Sequence, residues 1–129
     1  MMAIGIGARS GVVADDITAA ILRVEEQSGR RASVIATLED ARFLDSVRDA
    51  AHRSGTLFKG LSLSDLQSRS SECQTSSERA ISLYDVTSIA EAAALAAAGP
   101  DSKLIVPRLI SGFVTAAAAI SSDHVEVHS

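Results

Sequence analysis

Three groups of residues have the types and spacing to hold an anionic ligand. The first is Gly5-Ile6-Gly7-Ala8-Arg9, at the end of an apolar run that begins at Met2. Glycines at the carboxyl end of a buried strand let backbone N–H groups approach a ligand, and a helix starting just beyond adds the positive end of its dipole. An anion-accepting corner is therefore expected there, with Arg9 beside it. It is an incomplete dinucleotide fingerprint, because the third glycine position is Ser10 and Gly11 arrives one residue late.

The second group is Thr75-Ser76-Ser77, inside a polar, serine-rich stretch over residues 68–77. Such a stretch reads as a surface linker, or as a loop whose hydroxyls donate to a ligand if it folds over one. The third group is Ser88-x-x-Glu91, a capping box that opens a helix and gives Glu91 a structural role ahead of a catalytic one. Arg108 follows a short apolar run and adds a further cation. No catalytic set is evident. Glu91 and His52 are the best acid–base candidates and poor ones, and His52 falls on the charged side of its helix, where a solvated histidine is expected. Cys73 stands alone, and His124 and His128 lack further ligands at metal-binding spacing. There is no Gly-Lys-Ser/Thr phosphate loop and no G-x-S-x-G elbow.

These residues need elements to position them. Residues 15–28 form an amphipathic helix on Ile17, Ala20, Ile21 and Val24, stopped by Gly29; residues 32–38 read as a buried strand. A second helix is expected over residues 40–54, with Asp49 and Arg53 as an exposed i,i+4 pair. Residues 56–61 read as a strand, and Ser62 caps a brief helix. Residues 80–84 (AISLY) read as another strand, and the helix over residues 89–98 is stopped by Gly99-Pro100. Residues 103–107 and 114–120 read as strands, although the alanines of the latter also permit a helix. Residues 121–129 form a polar tail or, through Val125 and Val127, an edge strand. Strand, helix and strand in this order imply a parallel crossover, so the expected fold is α/β.

A chain of 129 residues suits one domain and needs no disulfide to bury a core. Apolar residues make up 47%, much of it alanine, and aromatics 3%, so aliphatic packing and close helix approach must carry that core. The net charge of −4, with no tryptophan and no basic run interleaved with aromatics, argues against a nucleic-acid partner. No apolar stretch is long enough for a membrane span, and no signal peptide is apparent, so a cytoplasmic protein is expected.

The order of the pieces resembles the CobE family of cobalamin biosynthesis, itself similar to the C-terminal domain of CbiG. The resemblance is carried by Gly5-Ile6-Gly7-Ala8-Arg9, Ala36-Thr37, Thr75-Ser76-Ser77-Glu78, Ser88-Ile89-Ala90-Glu91-Ala92-Ala93-Ala94-Leu95, Leu104-Ile105-Val106-Pro107 and Gly112-Phe113-Val114-Thr115-Ala116. It implies one three-layer αβα domain over residues 1–120, with a parallel or mixed sheet of about five strands. It also implies a role in building the corrin ring from precorrins. CbiG proteins open a lactone on a cobalt-precorrin, but with additional N-terminal domains. A stand-alone domain is expected to bind or handle the tetrapyrrole, alone or with other corrin-pathway enzymes, without a cofactor or a metal of its own. A hydrolase and a nucleotide-binding or protein-interaction domain are the alternatives. Ala8 stands where the family often has cysteine, Ala41 (beside Arg42) where it has lysine, and Ser76 where it has proline. The residues expected to converge on the ligand are Gly5, Gly7, Arg9, Thr75, Ser76, Ser77, Ser88, Glu91 and Arg108.

Overall fold

The computed structural model describes residues 1–9 and 11–121; Ser10, His124, His128 and the Val125/Val127 alternation lie outside the described residues. The apolar run at the start forms strand β1 (Met2–Ala8), and its alternation decides the architecture. Met2, Ile4 and Ile6 point into one hydrophobic cluster, with Ile17, Ile21 and Val24 of helix α1 (Ala14–Ser28) and Val47 of helix α2 (Leu44–Arg53). Ala3 points to the opposite face, into a second cluster with Ala93, Ala94 and Leu95 of helix α5 (Ile89–Ala98). Successive side chains of a strand face opposite sides, so bulk lies on one face and small residues on the other.

The sheet has five strands in the order β3-β2-β1-β5-β4. Strand β2 (Val34–Leu38) runs parallel to β1, and β3 (Leu57–Leu61) parallel to β2. Strand β5 (Val114–Ile120) pairs antiparallel with both β1 and β4 (Lys103–Ser111). The sheet is therefore mixed. Helices α1 and α2 cover one face; α5, supported by α3 (Leu63–Ser68), covers the other, giving a three-layer αβα domain. No single helix is long and apolar enough to cross a membrane.

Local chemistry explains the boundaries. Gly29 adopts φ 71° at the end of α1, the left-handed conformation that terminates a helix, and its N–H is accepted by Glu25 O. Ser62 Oγ accepts from Asp65 N to start α3. Helix α2 begins at Leu44 rather than at residue 40, because residues 40–43 form turns. Asp49 and Arg53 do form the exposed pair, at 3.1 Å.

Two expectations are corrected. Residues 80–84 belong to helix α4 (Glu78–Tyr84) instead of a strand: Ser77 Oγ accepts from Ala80 N at its start, and Asp85 ends it at φ 55°. A five-residue apolar run does not distinguish strand from helix, and the cap decides it. Strand β4 does not stop at Pro107 but continues to Ser111, with register shifts between Leu104 and Leu109. Proline lacks the N–H a ladder needs, so an edge strand with an irregularity accommodates it. The alanines of residues 114–120 lie in β5, between β1 and β4, as a strand.

Candidate functional site

Parallel pairing of β1 with β2 ends at Gly5 and Ala36, and Thr37 Oγ1 then donates to Ile6 O at 2.7 Å in place of the next ladder bond. Beyond that point, at the carboxyl ends of these strands, lies a cavity of about 620 Å³. One wall comes from β1 and its exit (Gly7, Ala8, Arg9) and from the passage between β2 and α2 (Leu38, Ala41, Arg42, Phe43). The facing wall is α4 with its cap (Ser77, Arg79, Ala80, Leu83, Tyr84) and the start of α5 (Ser88, Ile89). The β4–β5 hairpin closes the third side with Arg108, Ile110, Gly112, Phe113 and Thr115.

The lining is of two kinds. Leu38, Phe43, Leu83, Tyr84, Ile89, Ile110 and Phe113 supply apolar surface, and Leu83, Ile110 and Phe113 are largely exposed. Contiguous exposed apolar groups around a cavity mark a binding surface more than a solvated one. Against these stand four arginines, Arg9, Arg42, Arg79 and Arg108, with no carboxylate among the described lining residues. Arg9 lies over the Phe113 ring, 5.9 Å from its centroid, and its N–H donates to Phe113 O at 3.2 Å. Helix α5 begins at the wall, so the positive end of its dipole is also directed there.

The floor is held by Glu91, fully buried on the first turn of α5. Ser88 Oγ accepts from Glu91 N at 3.3 Å, the first half of the expected capping box. The Glu91 carboxylate does not turn back to complete it. Oε1 instead accepts from Gln74 N and Thr75 N, and Oε2 from Arg108 N, each at 2.9 Å. The irregularity in β4 around Pro107 places the Arg108 N–H on this carboxylate. One side chain thus ties α5, the segment before α4 and the β4 edge together.

Of the expected residues, Gly7, Arg9, Ser77, Ser88 and Arg108 line the cavity, whereas Gly5, Thr75, Ser76 and Glu91 do not. Gly5 and Gly7 lie inside β1, in register with Ala117 and Thr115, and not in a turn. Their lack of a side chain serves packing. A Cβ on Gly5 would overlap the Ala90 carbonyl and come to 2.5 Å from Ala94 N; one on Gly7 would lie 2.7 Å from Thr115 Oγ1. Ser76 contributes its carbonyl, which accepts from Arg108 at 3.4 Å, and Thr75 Oγ1 is buried without a partner among the described residues.

Arg79, Tyr84 and Phe43 are cavity residues that sequence reasoning missed. Reading residues 80–84 as a helix, on the strength of Ser77 as its cap, would have placed Arg79 and Tyr84. The serine-rich stretch also conceals Arg69, which is 8% exposed. Its guanidinium donates to Leu95 O and Gly99 O at the C-terminal end of α5, to Ser102, and to the Glu72 carboxylate. A cation there complements the negative end of the helix dipole. Cys73 packs between Arg69 O and Ser88 O; burial, reinforced by the Glu91 charge, pushes its thiol up to about 11. Such a thiol is a poor nucleophile at neutral pH.

Comparison with known proteins places these features in context. The family described as cobalamin synthesis G C-terminus matches residues 2–119. A crystal structure of CobE, a protein from the cobalamin (vitamin B12) biosynthetic pathway, is similar with a TM-score of 0.85 and 25% identity, over 92% of this chain and 89% of that one. The crystal structure of cobalamin biosynthesis protein chiG from Agrobacterium tumefaciens str. C58 is similar with a TM-score of 0.78 and 29% identity, over 95% of this chain and 100% of that one. No curated protein matches the chain.

Proposed function

The chain belongs to the cobalamin synthesis G C-terminus family and is a cobalamin biosynthesis protein, and from that premise we propose that it binds a precorrin-type tetrapyrrole during corrin ring formation. The observation that carries this reading is the combination of an apolar cavity of about 620 Å³ with four arginines on its walls. Precorrins are broad, partly apolar rings edged with carboxylates. A binder needs an apolar surface for the ring and donors around it, and guanidinium groups match carboxylates with paired N–H···O bonds. The exposed Leu83, Ile110 and Phe113 extend the apolar surface beyond the cavity, as a ligand too wide to be enclosed requires.

Handling without conversion is favoured over hydrolysis. A hydrolase needs a base within reach of a water or nucleophile. Glu91 has both carboxylate oxygens committed to backbone N–H groups beneath the cavity, and His52 sits exposed on α2, away from it. The ring would be taken up and passed on to other corrin-pathway enzymes.

The test is a titration with precorrin intermediates and with a linear tetrapyrrole, following pigment absorbance before and after separating free from bound. Binding without spectral conversion supports the reading. Arg9→Ala and Arg108→Ala should each weaken binding. The backbone N–H of Arg108 that holds Glu91 is retained in the alanine variant. Unchanged affinity in both variants would refute the site, and conversion with release of a two-carbon fragment would establish a hydrolase instead.

A further inference from the structure

We propose that this site discriminates by the charge of the ring periphery: it takes a tetrapyrrole whose side chains are free carboxylates and disfavours the same ring with those side chains amidated, with Arg42 and Arg79 setting the preference. The inference rests on the reading of the cavity as a tetrapyrrole site.

Most arginines outside the cavity are paired with carboxylates, whereas the guanidinium groups lining it are not. Of the six arginines outside the cavity, Arg31, Arg48, Arg53 and Arg69 each form an ion pair, with Glu25, Asp45, Asp15 and Asp49, and Glu72 respectively, while Arg23 donates to Ile110 O and Arg30 has no ion pair among the described residues. Among the described residues, none of the four cavity guanidinium groups has a carboxylate partner; the Arg108 contact to Glu91 is made by its backbone N–H. Arg9 stacks on Phe113 and Arg108 reaches only the Ser76 carbonyl. Arg42 and Arg79 make no hydrogen bond or ion pair among the described residues, and they stand on facing walls. A chain of net charge −4 has carboxylates to spare, yet they are placed elsewhere. Four like charges around one cavity repel, and an anionic guest relieves that repulsion.

The donor chemistry sets the selectivity. A guanidinium has five N–H donors and no acceptor. A carboxylate meets it with two anionic oxygens, whereas a primary amide offers one neutral oxygen and turns its own N–H groups toward donors. Specificity is the difference between the two affinities, and here the amide supplies an unfavourable contact as well as losing a favourable one. The ligand is therefore drawn from intermediates that precede amide formation on the ring edge.

The experiment compares two probes, a corrin with all peripheral side chains as free carboxylates and the same corrin with them as primary amides, both prepared from vitamin B12. Equilibrium dialysis at low and high salt gives the affinities. The acid should bind at least roughly tenfold more tightly, the gain of a single charge-assisted contact, and its affinity alone should fall steeply with salt. Arg42→Gln and Arg79→Gln should each lower the acid-to-amide ratio while the unliganded protein melts no lower than the parent. Equal binding of the two rings would overturn the inference and leave the tetrapyrrole site standing. Variants that weaken both rings by one factor would overturn the roles given to Arg42 and Arg79. Binding of neither ring would overturn the site reading along with it.

Discussion

Glu91→Gln is the substitution that most directly tests how the site is built. The Glu91 carboxylate is fully buried and accepts three backbone N–H groups, from Gln74, Thr75 and Arg108, each at 2.9 Å. Glutamine has nearly the same shape but only one accepting oxygen. With that oxygen toward Gln74 and Thr75, its amide N–H groups face the Arg108 N–H; flipped, they face the other two. Either way at least one backbone donor is orphaned and a second set of donors is buried against it. Each buried unsatisfied group costs about 1–3 kcal/mol, and the bonds that survive change from charge-assisted to neutral. Removing a buried charge relieves some desolvation, an offset that is small while the carboxylate is this well bonded. We expect a net loss of about 2–5 kcal/mol, a large part of the 5–15 kcal/mol typical of a small domain. Urea unfolding followed by circular dichroism should show the midpoint falling by about 1–3 M with an unchanged slope. Hydrogen exchange should show Gln74, Thr75 and Arg108 amides losing protection together. A variant within about 0.5 kcal/mol of the parent, the range of ordinary surface changes, would refute the reasoning.

Further outcomes follow from the packing around α5. Gly5→Ala should destabilise by about 1–3 kcal/mol or more in urea unfolding, because the new Cβ meets the backbone of α5 and not a movable side chain. Arg69→Gln should cost about 1–3 kcal/mol in thermal or urea unfolding by removing the buried guanidinium bonds to Leu95 O and Gly99 O, which keep only Ser102 Oγ and backbone donors. The Arg69 hydrogen bond holds the Glu72 carboxyl below its ordinary value of 4.5, so that pair's contribution is present above this pH and fades below it. The gap between the parent and Arg69→Gln should accordingly narrow as the pH is lowered through the acid range. Cys73, with its thiol raised from 9.0 to about 11, should react with a disulfide reagent at pH 8 about a hundredfold more slowly than an unperturbed thiol. Ordinary reactivity would contradict its burial between Arg69 and Ser88.

The elements with a strong local signal are legible in the sequence. Ile17, Ile21 and Val24 mark α1, Gly29 marks its end, and Ser88 marks the start of α5. What escaped was decided by contacts distant in sequence. Nothing within residues 68–77 shows that Arg69 finds the carbonyls of Leu95 and Gly99, because that bond exists only once α5 and the segment before α4 pack together. The glycines of β1 were read as a ligand corner because glycine serves close approach of any backbone, and their spacing cannot say whether a ligand or a helix does the approaching. The alanines of α5 point toward close packing, but nothing local names Gly5 as the partner. The capping box signals a structural role for Glu91, but its carboxylate makes neither the capping bond nor the expected ligand site, and its three long-range partners are beyond local reasoning.

The arrangement around α5 also explains why the proposed binding residues lie where they do. Gly5 lets α5 press onto the sheet, Arg69 secures its C-terminal end, and Glu91 fixes its first turn to two neighbouring segments. The floor of the cavity and the Arg108 backbone are thereby part of the core, and their positions are set by packing that no ligand needs to supply. The cations are held differently. Arg9, Arg42 and Arg79 are exposed, and α4, which carries Arg79, buries only Ala80. A site of this kind combines a rigid apolar seat with adaptable charged edges. For the proposed tetrapyrrole ligand, that division would suit related rings which share a common face but differ in how their carboxylates are disposed, because long guanidinium side chains can follow the periphery while the ring itself stays in one place.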